Sequence, residues 1–292
     1  MSRIAVVGVG AIGGAVAAQL AASGRYDVVL CVREPFARLV VESPVQTIDV
    51  PAHCETEPAR VAPADWVLLA TKAQDVPGAA KWLAALCAPG TVVAVLQNGV
   101  EHRARVEPFA GPATVLPVVV ELPVERTAPG RMRMRGGGRL TAPESPQAAA
   151  FAELFAGSAL GVERAADFAS VAWRKLCLNA ASGALTALTG RTVEVLHEPG
   201  MAELARGIIL ECCAVARAEG ARLPDSVADE VMARLLATPA GSGNSMYYDR
   251  RAGRPLELDA RNGVIVRFGA RHGIATPLNS AACALLAAQE KR

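Results

Sequence analysis

The chain has 292 residues, of which 52% are hydrophobic, 20% are charged and only 4% are aromatic, and its formal net charge is +2. This length suggests two domains, and this apolar content excludes an intrinsically disordered protein. A charge balance so close to zero gives no reason to expect a nucleic-acid partner. Because Ala, Val and Leu dominate over aromatic residues, the composition favours parallel strands buried under helices.

Cysteine and histidine are too scattered to predict a disulfide framework or a metal site. The seven cysteines include no C-x-x-C pair, and the four histidines stand singly. We therefore expect no metal, and reduced thiols that serve as small core residues. Reduced thiols in turn predict a cytoplasmic protein.

An uncharged segment near the N-terminus has two interpretations. Residues 4–24 carry no charge, and this length is compatible with a signal peptide or a membrane span. Gly8, Gly10, Gly13 and Gly14 interrupt the segment in an order that a signal peptide does not need. We therefore expect a ligand-binding loop here, and no membrane partner.

The first half of the chain alternates short apolar runs with helical patterns. Five runs are apolar on both faces and predict buried strands: Ile4–Val7, Val28–Val32, Trp66–Ala70, Val92–Leu96 and Thr114–Val120. A helix over Ala15–Ser23, ended by Gly24, separates the first two runs. This alternation predicts an α/β fold with an N-terminal Rossmann-type, doubly wound parallel sheet.

The residues Arg131–Arg135 alternate arginine and methionine and are followed by three glycines. This pattern predicts one strand of an edge hairpin, with the arginines in solvent. A phosphate-binding or nucleic-acid-binding role for these arginines is the less favoured alternative.

Helical periodicity dominates the second half. The predicted helices are Ser170–Leu188, Met201–Gly220, Ser226–Leu236, Asn262–His272 and Asn279–Gln289. The sequence therefore predicts a dinucleotide-binding domain over residues 1–166, followed by an all-helical C-terminal domain for substrate binding and catalysis over residues 167–292. Apolar faces on these helices permit a homodimer without demonstrating one.

The loop after the first predicted strand has the pattern G-x-G-x-x-G. The first glycine allows a tight turn, the second lets the backbone approach a pyrophosphate, and the third lets helix and strand pack closely. Since the pattern follows a strand and opens a helix, it predicts a dinucleotide site. The residues concerned are Gly8, Val9, Gly10, Ala11, Ile12 and Gly13.

The end of the second strand indicates which dinucleotide binds. An acidic residue at this place contacts the ribose 2′-hydroxyl of NAD, whereas an arginine suits the 2′-phosphate of NADP. Arg33 occupies this place and favours NADP, while the next residue, Glu34, keeps NAD as the alternative.

Two further polar residues follow predicted strands, where open α/β sheets bind ligands. Lys72 is a candidate for a phosphate or a substrate carboxylate, and its alternative is a solvated loop charge. Asn98 is a candidate for fixing the nicotinamide or the substrate through its amide.

A polar stripe runs along the helix Ser170–Leu188. Lys175 and Asn179 are i, i+4 neighbours, and Ser182 falls on nearly the same line. In a ketone reductase, a cation placed like Lys175 would protonate the oxyanion that hydride transfer creates, although a surface lysine is the plain alternative.

Ser245 and Glu257 bring a hydroxyl and a carboxylate to an otherwise apolar half. For Glu257 the alternative is an ion pair with one of the nearby arginines, Arg250, Arg251, Arg254 and Arg261.

Taken in order, these motifs resemble the ketopantoate reductase (2-dehydropantoate 2-reductase) family over nearly the whole chain. The resemblance rests on the glycine loop, Lys72 in T-K-A, Asn98 in Q-N-G-V, Lys175 in W-R-K-L, Asn179, Ser245-Met246, Glu257-Leu258-Asp259, Asn262-Gly263 and Thr276-Pro277. It implies reduction of 2-dehydropantoate to pantoate by NADPH, in pantothenate biosynthesis. It also implies that Lys175 donates the proton, that Asn98, Asn179 and Ser245 hold substrate, and that Glu257 contacts cofactor or substrate.

One position departs from the family pattern. The family often has a second asparagine four residues beyond the one that Asn179 matches, and this chain has Gly183 there. Losing a buried hydrogen bond costs about 1–3 kcal/mol, so either Ser182 replaces the asparagine or the substrate is a different, bulkier 2-oxo acid. A non-catalytic NADP-binding regulator is the remaining alternative.

Overall fold

The computed structural model describes residues 1–290. By its internal contacts the chain divides into two compact units. The first consists of Met1–Gln97 and Glu101–Phe168, and the second consists of Asn98–Val100 together with the chain from Ala169 onward. One short loop from the first half of the sequence therefore packs with the second unit.

The first unit contains all the strands found in the described residues. They are β1 (Arg3–Val7), β2 (Asp27–Cys31), β3 (Arg38–Glu42), β4 (Thr47–Pro51), β5 (Cys54–Glu55), β6 (Trp66–Leu69), β7 (Val92–Val95), β8 (Thr114–Pro117), β9 (Val119–Glu121), β10 (Val124–Ala128), β11 (Arg131–Met134), β12 (Gly138–Pro143) and β13 (Leu160–Ala165). Its helices are α1 (Ala11–Ala22), α2 (Val76–Leu86), α3 (His102–Ala110) and α4 (Pro146–Leu154).

A six-stranded parallel sheet in the order β5-β2-β1-β6-β7-β8 forms the centre of this unit. Successive side chains point to opposite faces, so Ile4 and Val6 of β1 pack with α1 while Ala5 and Val7 pack with α2 and α3. Both faces are thus covered, which is why the strands are apolar throughout. The predicted doubly wound sheet is confirmed.

The apolar run Thr114–Val120 is not the single strand that the sequence predicted. It forms β8, which pairs in parallel with β7, and then β9, which pairs antiparallel with β12 in a separate three-stranded sheet. The run is continuous in hydrophobicity because both strands are buried, and hydrophobicity carries no signal for the change of partner.

The arginine–methionine strand belongs to a hairpin at the edge of its sheet, as the sequence predicted, but it is not itself the edge strand. β11 does form a hairpin with β10, but its other side pairs in parallel with β3, so β10 and β4 are the edges of that four-stranded sheet. Met132 and Met134 are buried, and the arginines face solvent. Arg135 pairs with Glu125 at 2.8 Å. The solvated interpretation of the arginines agrees with their exposure and with this ion pair.

The second unit is helical, as predicted. Its helices are α5 (Phe168–Thr189), α6 (Pro199–Ala218), α7 (Val227–Leu236), α8 (Ser245–Arg251), α9 (Val264–His272) and α10 (Pro277–Glu290). α5 and α6 supply much of its core, including Leu176 and Ile208. None of the described helices is long and apolar enough to cross a membrane.

The helix predicted from Asn262 begins differently. A π-helical turn, Asp259–Gly263, precedes α9, and within it the Gly263 N–H donates to Leu258 O, five residues back, at 2.8 Å. The wider turn buries three successive residues, Ala260, Arg261 and Asn262. Turns of this kind often occur at functional sites.

Candidate active site

The glycine loop of the first unit is shaped by two close approaches of backbone. Gly8 has a φ of +93°, and a Cβ on it would lie 2.6 Å from Thr71 N. A Cβ on Gly13 would lie 2.1 Å from Gly8 O. Glycine is therefore required at both positions by the protein's own packing, before any ligand is considered.

Gly10 differs from its two neighbours in the motif, because a Cβ added there would meet nothing within 4 Å. The space beside it is open, as a pyrophosphate requires. Val9, Ala11 and Ile12, which are next to Gly10 in the chain or within two residues of it, are half-buried.

The N-terminus of α1 adds a second feature that suits an anion. α1 begins at Ala11, directly after the loop, and not at Ala15 as the sequence predicted, because the helix incorporates Gly13 and Gly14. Gly10 caps it without a side-chain hydrogen bond, so the N–H groups of the first turn are left for a ligand. The loop therefore fits a dinucleotide.

Strand register brings further candidates to the same edge of the sheet. Val7 is in register with Cys31 and with Leu69, so the segments after β1, β2 and β6 leave the sheet together. These segments carry Gly8, Arg33 and Lys72. Arg33 and Glu34 are both exposed, and Lys72 is half-buried. The geometry thus keeps both the arginine and the acid available for an adenosine ribose.

In the second unit, three predicted side chains form one hydrogen-bonded group. Asn98 Oδ1 accepts from Lys175 Nζ at 3.3 Å and from Asn179 Nδ2 at 3.4 Å. Lys175 and Asn179 lie one turn apart on α5, and all three residues are half-buried. The ammonium group is therefore held at a defined place beside two amides.

The group continues from Asn98 to a buried ion pair. Asn98 Nδ2 donates to Glu257 Oε2 at 2.9 Å, and the same oxygen accepts from Arg261 Nη2 at 3.3 Å. Arg261 Nη2 also donates to Ser245 Oγ at 2.6 Å. We call Asn98, Lys175, Asn179, Ser245, Glu257 and Arg261 the polar cluster.

Gly99 explains how the loop that carries Asn98 comes so close to the π-helical turn. Its φ is +103°, and a Cβ on it would lie 2.9 Å from Ala260 O. A side chain at this position would push the loop away from the turn, so the glycine lets Asn98 reach Glu257.

Ser182 is not brought into the polar cluster. It is 3% exposed, and its hydroxyl donates to Leu178 O, one turn back on its own helix, at 2.8 Å. The single hydroxyl hydrogen is thus used within α5. Ser182 does not fill the role of the asparagine that is absent at position 183.

Arg261 is the member of the polar cluster that the sequence did not single out. Sequence reasoning considered it only as one of four arginines that could pair with Glu257. Its spacing of four residues from Glu257 was visible, but its burial, with 1% of the residue exposed, arises from the π-helical turn and has no sequence signal of its own.

Two family models describe this chain. The model of ketopantoate reductase PanE/ApbA matches residues 4–147, and the model of the ketopantoate reductase PanE/ApbA C terminal matches residues 167–290. The chain belongs to the ketopantoate reductase family.

Individual members of the family are similar to this chain over nearly its whole length. A 2-dehydropantoate 2-reductase from Caulobacter vibrioides is 48% identical over 289 residues, which is 98% of each chain. One from Mycobacterium tuberculosis is 44% identical over 98% of this chain and 97% of its own. The crystal structure of a PanE/ApbA family ketopantoate reductase from Ralstonia eutropha JMP134 matches with a TM-score of 0.91 at 32% identity, over 99% of this chain and 98% of that one. The predicted family and the enzyme class, an oxidoreductase, are confirmed.

Proposed function

We propose that this member of the ketopantoate reductase family reduces 2-dehydropantoate to pantoate with NADPH. Its relatives from Caulobacter vibrioides and Mycobacterium tuberculosis carry the name of this reaction. The observation that carries the proposal is the hydrogen-bonded chain from Lys175 through Asn98 to Glu257, which holds a cation at a fixed place.

Each unit supplies one part of the reaction. NADPH, when bound by the glycine loop of the first unit, supplies a hydride to the carbonyl carbon of the 2-oxo acid. The carbonyl oxygen then takes the electron pair of the broken π bond and needs a proton. We assign Lys175 Nζ as the donor of that proton, and the product is the 2-hydroxy acid.

Asn98 and Asn179 keep the proton donor in place. Because Asn98 Oδ1 accepts from both Lys175 and Asn179, the ammonium group and the second amide converge on one oxygen. We assign Asn179 and Ser245 to substrate binding. The part of the Asn98 side chain that these hydrogen bonds leave open is assigned to substrate binding as well. Glu257 orients Asn98 through its amide nitrogen.

For the cofactor we propose NADPH over NADH, on the position of Arg33. The guanidinium is exposed after β2, where it suits a 2′-phosphate. Lys72, which follows β6 at the same edge, is assigned to a phosphate of the cofactor. Glu34 supports the alternative, NADH, in which the carboxylate takes the ribose hydroxyl.

A bulkier 2-oxo acid is less well supported. Such a substrate would use the space that the missing side chain of Gly183 leaves. A Cβ at this position would instead lie 2.9 Å from Met246 Sδ and 3.0 Å from Arg261 Nη1. These two side chains take up the space, so the glycine does not enlarge the site.

We also propose a cytoplasmic location. The seven cysteines are all present as free thiols, which suits a reducing compartment.

The test is NADPH oxidation by the purified protein with 2-dehydropantoate, measured against NADH, with the Lys175→Met variant beside the wild type. We expect turnover with NADPH, and a loss of kcat/KM of about a hundredfold to ten-thousandfold in the variant, since a general acid contributes that much. NADPH binding, followed by fluorescence, should persist in the variant.

The matched control is Lys81→Met, which removes an exposed lysine on α2 and should keep wild-type turnover. Wild-type turnover by Lys175→Met would overturn the assignment of the proton donor. Tight NADPH binding without turnover of any 2-oxo acid would instead support a non-catalytic regulator.

A further inference from the structure

Arg261 lies inside the second unit, against the position where the family often has an asparagine. Only 1% of the residue is exposed. Its Nη1 lies 3.0 Å from the place where a Cβ on residue 183 would stand. The guanidinium therefore takes part of the space that a side chain at position 183 would need, together with Met246, whose Sδ would lie 2.9 Å from that Cβ.

The hydrogen bonds of Arg261 determine what Ser245 can do. A guanidinium only donates, so in its bond with Arg261 Nη2 the Ser245 hydroxyl is the acceptor. The hydrogen of that hydroxyl is then directed elsewhere. Ser245 is exposed, so its hydrogen is available to an acceptor that comes from outside the protein.

The charges of the polar cluster point to an anion as that acceptor. The cluster contains two basic side chains, Lys175 and Arg261, and one acidic side chain, Glu257. Arg261 Nε is buried and has no hydrogen-bond partner among the described residues. A partly buried site with one excess cation attracts a single negative charge, because partial burial weakens the screening by water.

We propose that Arg261 is a positioning residue for the substrate carboxylate, which directs the Ser245 hydroxyl toward it and supplies the charge that attracts it. In this role Arg261 replaces the asparagine that Gly183 lacks. The inference rests on the proposed function, because it takes the substrate to be a 2-oxo acid.

A purely structural ion pair between Arg261 and Glu257 makes a different prediction. It would stabilise the fold without distinguishing a carboxylate from a neutral group of the same shape. Kinetic measurements with a 2-oxo acid and with the amide of the same compound therefore distinguish the two roles of Arg261.

The first experiment compares Arg261→Leu and Arg261→Lys with the wild type. For 2-dehydropantoate, Arg261→Leu should raise KM about ten- to a hundredfold, as expected for losing a charge-assisted interaction, while kcat changes much less. The preference for the acid over its amide should fall by a similar factor. Arg261→Lys keeps the charge and should recover part of this preference.

The matched control is Arg254→Leu. Arg254 belongs to the same unit and pairs with Asp249 at 2.8 Å, but it is half-exposed and lies outside the polar cluster. This variant should keep the wild-type KM and the wild-type preference for the acid. An unchanged acid preference in a folded Arg261→Leu protein would overturn the proposal.

A second experiment covers the outcome in which Arg261→Leu folds poorly. Gly183→Asn alone should disturb the site, because its side chain meets Met246 and Arg261. In the double variant Gly183→Asn, Arg261→Leu, the shorter leucine leaves room for the amide, which then binds the carboxylate. We expect the double variant to have a lower KM than Gly183→Asn alone, a comparison that does not need the Arg261→Leu protein. A KM in the double variant equal to or above that of Gly183→Asn would overturn the exchange of roles.

Binding measurements distinguish failure of this inference from failure of the proposed function. With NADP⁺ present, pantoate and 2-oxo-3-methylbutanoate are titrated calorimetrically into the wild type and Arg261→Leu. If the wild type does not turn over 2-dehydropantoate but binds either carboxylate at least tenfold more tightly than the variant, the proposed substrate is wrong and the role of Arg261 stands. Equal binding by both proteins, or none by the wild type, overturns the role of Arg261.

Discussion

Asn98 Oδ1 accepts a hydrogen bond from Lys175 Nζ at 3.3 Å, although 77 positions separate the two residues in the chain. At its other end the same amide donates to Glu257 Oε2 at 2.9 Å. Rotating the amide by half a turn would set its N–H groups against the ammonium and its carbonyl against the carboxylate. Asn98 therefore has a single favourable orientation, and through it the carboxylate controls the place of the lysine.

This relationship predicts an order of activities at position 98. Asn98→Ala removes the link, and we expect kcat to fall about ten- to a hundredfold, since one well-placed hydrogen bond to a charged group is worth about 1.5–3 kcal/mol. Asn98→Asp should be worse, because it sets a second carboxylate against Glu257. Steady-state kinetics, with thermal unfolding as a check on the fold, measures the order. Activity in Asn98→Asp equal to or above that of Asn98→Ala would contradict this account.

The glycine loop predicts that two alanine substitutions three positions apart have different effects. Gly13→Ala places a methyl group 2.1 Å from Gly8 O, and overpacking of this kind costs about 1–3 kcal/mol of the free energy of unfolding. Gly10→Ala meets no protein atom within 4 Å, so it should cost about 1 kcal/mol or less, the scale of a cap effect. It should nonetheless weaken NADPH binding about tenfold or more, because the methyl group enters the space assigned to the pyrophosphate.

Denaturant unfolding and NADPH titration of both glycine variants provide the test. The expected pattern is a loss of stability at Gly13 and a loss of affinity at Gly10. Wild-type affinity in Gly10→Ala would show that the dinucleotide does not approach this residue.

The parts of the fold that the sequence predicted are those with local signals. The glycine loop is recognised by the spacing of its glycines within six residues, directly after a strand and before a helix, and strands buried on both faces are apolar along their whole length. Val118 has no such signal, because the strand partner changes there while the residues stay apolar. The parallel pairing of β11 with β3 joins segments about ninety residues apart and likewise leaves no local pattern.

The residues of the candidate site likewise include some with a local sequence signal and some without one. Lys175 and Asn179 were predicted to share a face because helical spacing is local, and they do meet at Asn98. Arg261 was missed as a cluster member because its spacing from Glu257 did not distinguish it from the other nearby arginines, whereas its burial does. Its position against Gly183 comes from a π-helical turn that no residue spacing predicted.

Two adjacent residues, Arg33 and Glu34, predict which cofactor the enzyme prefers. Arg33→Ser should lower kcat/KM with NADPH about tenfold or more, since it removes a charge-assisted contact to the 2′-phosphate, and should leave the value with NADH nearly unchanged. Glu34→Ser is the matched control, because both residues are exposed at the same strand end. A wild type that prefers NADH, with a loss of NADH activity in Glu34→Ser, would reverse the assignment.

The cysteines predict a pH-dependent reactivity. Burial, with the nearby Glu55 carboxylate, raises the pKa of the Cys31 thiol from 9.0 to about 12. In the folded protein the thiolate is therefore about a thousandfold scarcer at pH 8 than in an unfolded chain. Burial also raises the pKa of Cys87 and of Cys283 to about 11.

These shifts also fix the direction of a stability effect. Because the folded pKa of Cys31 lies above its unfolded value, its contribution to stability is fully present below pH 9 and is lost as the pH rises from 9 to about 12. Thermal unfolding between these pH values should show a decreasing midpoint. Cys31→Ala should flatten that decrease.

Alkylation with iodoacetamide at pH 8, followed by mass spectrometry, tests the same point directly. Cys31 should be labelled at least about a hundredfold more slowly in the native protein than in denaturant, because alkylation requires the thiolate. Cys54, which is half-buried on the short strand β5, should be labelled earlier and serves as the internal reference. If Cys31 is labelled as fast as Cys54, β2 must open locally far more often than its buried pairing with β1 implies, and the stability effect should then be absent as well.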